Sequence, residues 1–207
     1  MYIYDSCRSE INACMETRTF AVAHMYKDEK TMDSHTHDCY EIYFSISGGK
    51  QFLIDDRLYE FHKGDIFFIN QYESHYLVKI DKQVHERIVF SIHPEYLKLL
   101  STKETDLSRC FTYRDEAFGH KVTLCDDEQK RFLYYINRLS DRYDFGQELM
   151  DRAVFIEIIT FLNGIFALRC QQKSDPSKKK NTASTGTHAK LMNELCSYVS
   201  QHLTEDL

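Results

Sequence analysis

Residues 35–49 read HTHDCYEIYFSISGG, and this stretch decides which fold the sequence predicts. Successive side chains of a β-strand point to opposite faces, so residues of one parity lie together. One parity here carries polar side chains: His35, His37, Glu41, Tyr43 and Ser45. The other parity carries apolar side chains: Ile42, Phe44 and Ile46. The pattern predicts a strand with one polar and one apolar face, as in a barrel whose lumen is polar.

Similar short runs rich in Tyr, Phe, Ile and Val continue on both sides of this stretch. They cover residues 19–26, 40–47, 50–54, 58–61, 65–69, 75–80 and 86–92. Gly48-Gly49 is a hairpin signal, and Lys63-Gly64-Asp65 marks another tight turn. Short strands at this regular spacing predict an antiparallel sandwich or barrel over residues 19–93.

The spacing of apolar residues changes after Pro94, and residues 94–170 are predicted to form a helical region. A short helix is expected at 95–100. A longer helix is expected after Asp126, because Phe132, Ile136 and Leu139 recur at helical spacing. A second long helix is expected at 148–170. Residues 1–18 and 101–125 show no clear period, and residues 1–18 are therefore expected to form an N-terminal arm.

The second long helix is apolar on most of its circumference between residues 153 and 168. Glu157 and Asn163 interrupt this run, which is shorter than the roughly 20 residues of a membrane span, so we expect a buried helix and no membrane. A helix apolar all round must be covered on more than one side. A homodimer is therefore predicted, with an interface formed by Phe155, Ile158, Ile159, Leu162, Ile165 and Phe166.

Composition and charge narrow the class of protein. Lys+Arg 26 against Asp+Glu 32 gives a net charge of −6, which makes the chain by itself a poor DNA binder. The first residues lack the apolar run of a secretory signal, and the seven cysteines include no CxxC pair. We therefore expect reduced thiols in the cytoplasm.

The end of the sequence differs from the rest. Residues 171–187 are polar and lysine-rich, which predicts a linker. Residues 188–207 predict one amphipathic helix, and an isolated helix of this length is marginal in water. The expectation is that the chain stops inside a second domain.

Two segments resemble the cupin signatures. His35, His37, Glu41 and Gly48 match the spacing of the first cupin motif, and Gly64 and His75 match the second. Asn70 and Tyr72 depart from the proline and glycine usual in that second motif. By resemblance, His35, His37, Glu41 and His75 occupy the metal-ligand positions of metallocupins, where three imidazoles and a carboxylate suit a divalent transition metal.

The combination of HTHDCYEIYFSISGG, KGDIFFINQYESHY, paired helices, a linker and the tail YVSQHLTEDL resembles the AraC/XylS family of transcription regulators. That resemblance implies an α+β, mainly β fold, in which a cupin-like antiparallel barrel or jelly roll precedes two packed α-helices. It also implies a small-molecule-sensing and dimerisation domain, with DNA bound only through a C-terminal helix-turn-helix half missing from this chain. Residues 188–207 would be the first helix of that half.

The resemblance implies binding without catalysis, and therefore no catalytic residue. A small-molecule effector, sugars included, is expected near His35, His37, Glu41, Tyr43 and His75. No cofactor is required, and two interpretations of the histidines stay open: they hold a divalent metal, or they contact the ligand and one another. Two other functions also stay open, namely a metal-dependent cupin enzyme of the dioxygenase or isomerase type, and a dimerisation module without a ligand.

Overall fold

The strands are short because turn residues interrupt the apolar runs. The structure is a computed structural model that describes residues 2–27, 33–79, 84–114 and 119–174. The strands in these residues are β1 Ile3–Tyr4, β2 Phe20–Lys27, β3 Tyr40–Ser45, β4 Gln51–Ile54, β5 Arg57–Glu60, β6 Asp65–Ile69, β7 His75–Lys79, β8 His85–Ile92 and β9 Lys121–Thr123. The helices are α1 Cys7–Thr17, α2 Pro94–Leu100, α3 Arg109–Thr112, α4 Asp126–Ser140 and α5 Gln147–Ser174.

The strands pair into two sheets that face each other. The larger sheet has the order β1-β2-β8-β3-β6-β9, and the smaller one has the order β5-β4-β7. All pairs are antiparallel except β1 with β2. The seven predicted strands are confirmed to within a few residues, and the fold is the expected α+β, cupin-like one. Residues 101–125, which gave no prediction, contain α3 and β9, and β9 extends the barrel beyond residue 93.

Strand β3 turns its polar side chains inward as predicted, but the middle of the space between the sheets also holds an apolar cluster, which was not predicted. Its buried side chains are Ala23, Met25, Tyr43, Phe52, Ile54, Phe61, Phe67, Ile69, Leu77 and Val89. Phenylalanines from β4 and β6 fill the middle, with Phe52 and Phe67 4.9 Å apart between ring centroids. Polar groups of β3 and β8 are left to the two ends of the lumen.

The other face of the large sheet is covered by α4 and α5. Phe44 of β3 packs on Phe132 of α4, and Phe20 of β2 stacks on Phe155 of α5 with ring centroids 4.2 Å apart. The six residues predicted as the dimer interface are at most 5% exposed: Phe155, Ile158, Ile159, Leu162, Ile165 and Phe166. They belong to the core of their own chain, so that choice of interface residues was wrong. The sheet and α3 cover more of α5 than the sequence indicated.

The N-terminal segment is not a loop. Ser6 caps α1 by accepting a hydrogen bond from the Ser9 amide, and α1 then packs against β2 and β8. Glu10 and Cys14 lie on its buried face. The predicted arm, residues 1–18, therefore contains a strand and a helix that close one side of the barrel.

Helix α5 is longer than predicted and continues through Ser174, so residues 171–174 of the predicted linker are helical. The rest of that linker and the predicted helix at 188–207 lie outside the described residues. By length and composition, α5 could cross a membrane. Its inner face is the part buried in the protein core, and core helices of soluble proteins share this composition.

Candidate functional site

Four side chains meet at one end of the barrel. The ligand atoms of His35, His37, Glu41 and His75 all lie within 4.8 Å of one another, and we call these four residues the His/Glu centre. An isolated antiparallel bridge aligns two of them: the His35 amide donates to the His75 carbonyl, and the His75 amide donates to the His35 carbonyl. Glu41 extends from β3 between β6 and β8. The pairing of distant strands thus completes the first motif with the histidine of the second.

Each histidine of the centre is held by a backbone carbonyl. The Nδ1 atoms of His35, His37 and His75 lie 3.1, 2.9 and 2.9 Å from the carbonyl oxygens of Asp33, Cys39 and Glu73. A carbonyl only accepts, so each Nδ1 carries the proton and donates it. The three Nε2 atoms then face the middle of the centre, because a hydrogen bond at one ring nitrogen orients the other nitrogen, as it does in metal sites.

The carboxylate of Glu41 is the negative charge of the centre. Its Oε2 atom lies 3.0 Å from His37 Nε2 and 3.5 Å from His75 Nε2. Burial opposes its ionisation, but the charge of His75 and the hydrogen bond from His37 outweigh burial and hold the pKa of Glu41 well below its usual range. Burial opposes charge on His37 as well, yet its bonds with Cys39 and Glu41 raise the pKa of His37 to about 11. In the absence of another cation, the positive charge of the protonated histidines balances the negative charge of Glu41.

The donor set fits a divalent transition metal. Among the described residues, His75 Nε2 is a buried atom without a hydrogen-bond partner, and it faces a buried carboxylate. Three imidazole nitrogens and one carboxylate oxygen suit such a metal. A bound metal would supply Lewis acidity and an open position for a ligand. It would compete with the protons on the histidines, because imidazole coordinates in its neutral form.

Tyr43 is separate from the four converging residues. It lies two residues beyond Glu41 on the same face of β3, is buried among Phe52, Phe61 and Phe67, and its hydroxyl bonds to His85. The shared parity of Glu41 and Tyr43 was correctly inferred, but Tyr43 belongs to the aromatic interior of the barrel.

The comparison with protein families identifies the domain. The sequence profile of the AraC-like ligand binding domain matches residues 19–125, just over half of the chain. The chain belongs to the AraC-like ligand binding domain family. The resemblance noted from the sequence is thereby confirmed for the ligand-binding part.

The solved structures that are similar to this AraC-like domain have low sequence identity to it. A predicted oxalate decarboxylase (tm1287) from Thermotoga maritima is 21% identical over 40% of this chain and 73% of its own, with a TM-score of 0.35. The polyketide cyclase RemF from Streptomyces resistomycificus is 19% identical over 36% and 54%, with a TM-score of 0.32. An RmlC-like cupin from Shewanella frigidimarina is 16% identical over 36% and 67%, with a TM-score of 0.33. Among curated proteins, none matches the chain.

Helix α1, which precedes the matched residues, reaches the end of the barrel that holds the His/Glu centre. The buried carboxylate of Glu10 accepts hydrogen bonds from the amide and the hydroxyl of Ser91, which lies beside Glu41 in the sheet. Burial is the largest influence on Glu10 and raises its pKa well above the usual value, and the charge of Glu41 adds to the effect. Sequence reasoning missed Glu10 because it lies in a segment without an apolar period.

A second polar cluster lies next to the His/Glu centre and was also missed. The Glu73 carboxylate lies 3.1 Å from His120 Nε2 and 3.4 Å from Arg114 Nη2, and the Tyr59 hydroxyl lies 2.8 Å from His120 Nδ1. Glu73 lies two residues before His75 in the sequence, and this short spacing could have indicated that it lies near the centre. His120 and Arg114 lie in the stretch of 101–125 that carries no pattern.

Proposed function

We propose that this chain is the small-molecule-sensing and dimerisation part of a transcription regulator, which contacts DNA only through a separate C-terminal helix-turn-helix domain. The observation that carries the proposal is a His/Glu centre whose four side chains converge, three of them buried, in a member of the AraC-like ligand binding domain family. The function is binding, with no bond-making step.

The effector would bind at the His/Glu centre, either directly or through a metal held there. Glu41 offers an acceptor to a hydroxyl or amine, and the histidine rings offer donors when protonated. His35 is only partly buried and provides the approach from solvent. A small polar molecule with several hydroxyl groups, such as a sugar, suits these groups, and Tyr43 lies next along the strand toward the apolar interior.

Helix α1 is the element best placed to report binding. Its Glu10 is bonded to Ser91 beside Glu41, so a ligand that changes the charge at Glu41 changes the free energy of keeping Glu10 buried. A ligand shifts such an equilibrium only by its differential affinity for the two states. We propose that effector binding alters how firmly α1 is held on the barrel.

The dimer would form through the outer face of α5. This face presents large apolar side chains among small residues and the charged Arg152 and Glu157: Leu149 is 60% exposed, Ile156 38% and Leu168 55%. Between them lies Gly164, beside which a Cβ would meet open space, so a second helix could approach closely there. This face replaces the six buried residues that the sequence indicated.

A thermal-shift panel of sugars and other metabolites tests the sensing site. We expect at least one compound to raise the melting temperature of the wild-type chain and to lose that effect in His35→Ala. His62→Ala is the matched control, because His62 is an exposed histidine away from the centre. Equal responses of wild type and His35→Ala to every active compound would place binding elsewhere.

The complete ligand set favours a second candidate, a metal-dependent cupin enzyme. Elemental analysis of protein purified without added metal separates the two functions when it is combined with product analysis. Stoichiometric iron or manganese, with multiple turnover of an organic substrate that chelation abolishes, would favour the enzyme.

We further propose a cytoplasmic location, with α5 as a core helix of a soluble protein.

A further inference from the structure

Glu73 connects the His/Glu centre to the structure behind it. Its backbone carbonyl accepts the hydrogen bond from His75 Nδ1 at 2.9 Å. Since that bond fixes the orientation of the ring, the position of the Glu73 backbone determines where His75 Nε2 points. Partners of this kind tune a site without contacting what is bound there.

The side chain of Glu73 fixes that backbone position. Its carboxylate accepts a hydrogen bond from the Asn70 amide at 2.6 Å and lies 3.1 Å from His120 Nε2. Arg114 Nη2 approaches the same oxygen at 3.4 Å. The carboxylate is mostly buried, where charge-assisted hydrogen bonds are stronger than on the surface. A shift of Glu73 would therefore break its hydrogen bonds to Asn70 and Arg114 and its close contact with His120.

Arg114 continues the connection to the helices. Its guanidinium donates from Nη2 to the Phe68 carbonyl of β6 at 2.8 Å and from Nη1 to the Cys110 carbonyl of α3 at 3.2 Å. In turn, the Cys110 amide donates to Asn163 Oδ1 of α5 at 3.1 Å. Asn163 Nδ2 also donates to the Leu107 carbonyl at 2.9 Å. Hydrogen-bonded groups thus run from His75 to the middle of α5.

We propose that Glu73 and Arg114 are positioning residues that transmit occupancy of the His/Glu centre to α3 and α5. The inference rests on the proposed sensing function and names the route by which the site is read out. The planar guanidinium is suited to this role, because its fork bonds a strand, a helix and Glu73 at once. When the centre is filled, His75 is fixed, Glu73 is fixed with it, and α3 is held more firmly against α5.

Hydrogen exchange of the full chain, measured by mass spectrometry with and without Zn²⁺, tests the proposal. In wild type we expect Zn²⁺ to slow exchange in residues 107–114 by at least about fivefold, the lower end of coupling between sites. In Arg114→Gln we expect Zn²⁺ still to bind at the centre, and the slowing at 107–114 to be lost. Arg109→Gln is the matched control, since Arg109 lies on the same short helix and contacts Tyr113 instead.

The outcomes separate cleanly. Equal slowing in wild type and Arg114→Gln would overturn the proposal, and so would the same loss in Arg109→Gln, because that would indicate a general loosening of α3. If wild type takes up no Zn²⁺, the proposed metal site is wrong. A double-mutant cycle of His75 and Arg114 in metal-free protein then tests the coupling. His75→Ala should then speed exchange at 107–114 about fivefold in wild type and have no further effect in Arg114→Gln. Equal effects of His75→Ala in both backgrounds would overturn the coupling by itself.

Discussion

The carboxylate of Glu41 sets the charge of the His/Glu centre. An ionised carboxylate this deeply buried persists only when it is paired and hydrogen-bonded. His37 and His75 provide that pairing in the metal-free protein, and a metal would provide it in their place. A cation at the four side chains would therefore compete with protons, so a higher pH would favour the cation.

Replacement of Glu41 by glutamine tests this balance. In metal-free protein at pH 6, Glu41→Gln should lower the free energy of unfolding by about 3 kcal/mol, as expected when a buried ion pair loses one partner. The contribution of Glu41 is lost as pH falls below its unfolded value of 4.5, and that of His37 is lost as pH rises from 6.5 toward about 11. The difference between the two proteins in urea unfolding should therefore be largest between these limits. A difference that does not change with pH would contradict the charge assignment.

Glu10 should have the opposite pH dependence. Its pKa is raised in the folded protein, so the unfolded chain releases this proton first and stability falls as pH rises above about 4.5. Glu10→Gln keeps a group that can bond to Ser91 and removes the charge. The free energy of unfolding of Glu10→Gln relative to wild type should increase as pH rises above about 4.5, by at most about 1.4 kcal/mol per pH unit. Urea unfolding from pH 4 to 8 measures the effect, and parallel curves would show that Glu10 is not strained by its charge.

Tyr72 is held in a conformation that favours glycine. Its φ is 63°, in the left-handed region, at the position where the cupin motif usually has glycine. The expected result for Tyr72→Gly is a gain of about 1 kcal/mol in the free energy of unfolding, because the clash involving the Cβ atom is removed. Tyr26→Gly is a suitable control: both tyrosines are 65% exposed, but Tyr26 lies in β2, where glycine should destabilise. Destabilisation by both substitutions would count against strain at Tyr72.

For single residues, the sequence predicted the four members of the His/Glu centre but not the residues that hold them in place. The motif spacing was sufficient for His35, His37, Glu41 and His75, whereas strand alternation applies only to Glu41, because His35 and His37 precede β3. The contacts of Glu73 could not be predicted, because they depend on where a loop meets residues about 40 positions later in the chain. A local pattern carries no information about such a tertiary contact.

Among the elements, α5 shows what helical periodicity leaves undecided. A helix that is apolar all round has no face marked by sequence as the inner one. The structure selects the face with Ile158 and Leu162 for the core and leaves Ile156 outside. The predicted dimer helix was thus assigned the wrong side, although its existence and approximate limits were correct.

Paired aspartate substitutions distinguish the two sides of α5. Ile156→Asp should preserve the fold and raise the dimer dissociation constant at least about tenfold, because a charge would enter the proposed interface. Ile158→Asp should unfold the protomer, since it buries an unpaired charge in the core. Sedimentation velocity and circular dichroism measure the two effects. An unchanged dimer in Ile156→Asp would exclude the outer face of α5 as the contact.

Helix α1 escaped prediction for a different reason. Its buried face is formed by Glu10 and Cys14, with Cys7 half-buried beside them; the three recur at helical spacing but include a carboxylate. Glu10 is buried because Ser91 provides two donors for it, and that partner lies on a strand 81 residues away. Sequence reasoning had no ground to count a glutamate as part of a core.

In the whole molecule, the His/Glu centre and the helices α4 and α5 lie on opposite faces of one sheet. Residues of β3 and β8 alternate between them, so that Glu41 and Ser91 face the His/Glu centre while Ile42 and Phe90 face α4 and α5. The fold class was predictable because it follows from alternation and turn spacing. The filled lumen was not predictable, because the packing of aromatic side chains between the sheets depends on the register of both sheets together.

Native mass spectrometry of the purified chain tests the central claim, reversible binding at the His/Glu centre without chemistry, most directly. The compound identified in the thermal-shift panel is incubated with excess protein and then released by denaturation. We predict a one-to-one complex per protomer, lost in His35→Ala and retained in His62→Ala, with the compound recovered at its original mass. Recovery of a chemically altered compound that depends on the centre, or equal binding by His35→Ala, would contradict the account.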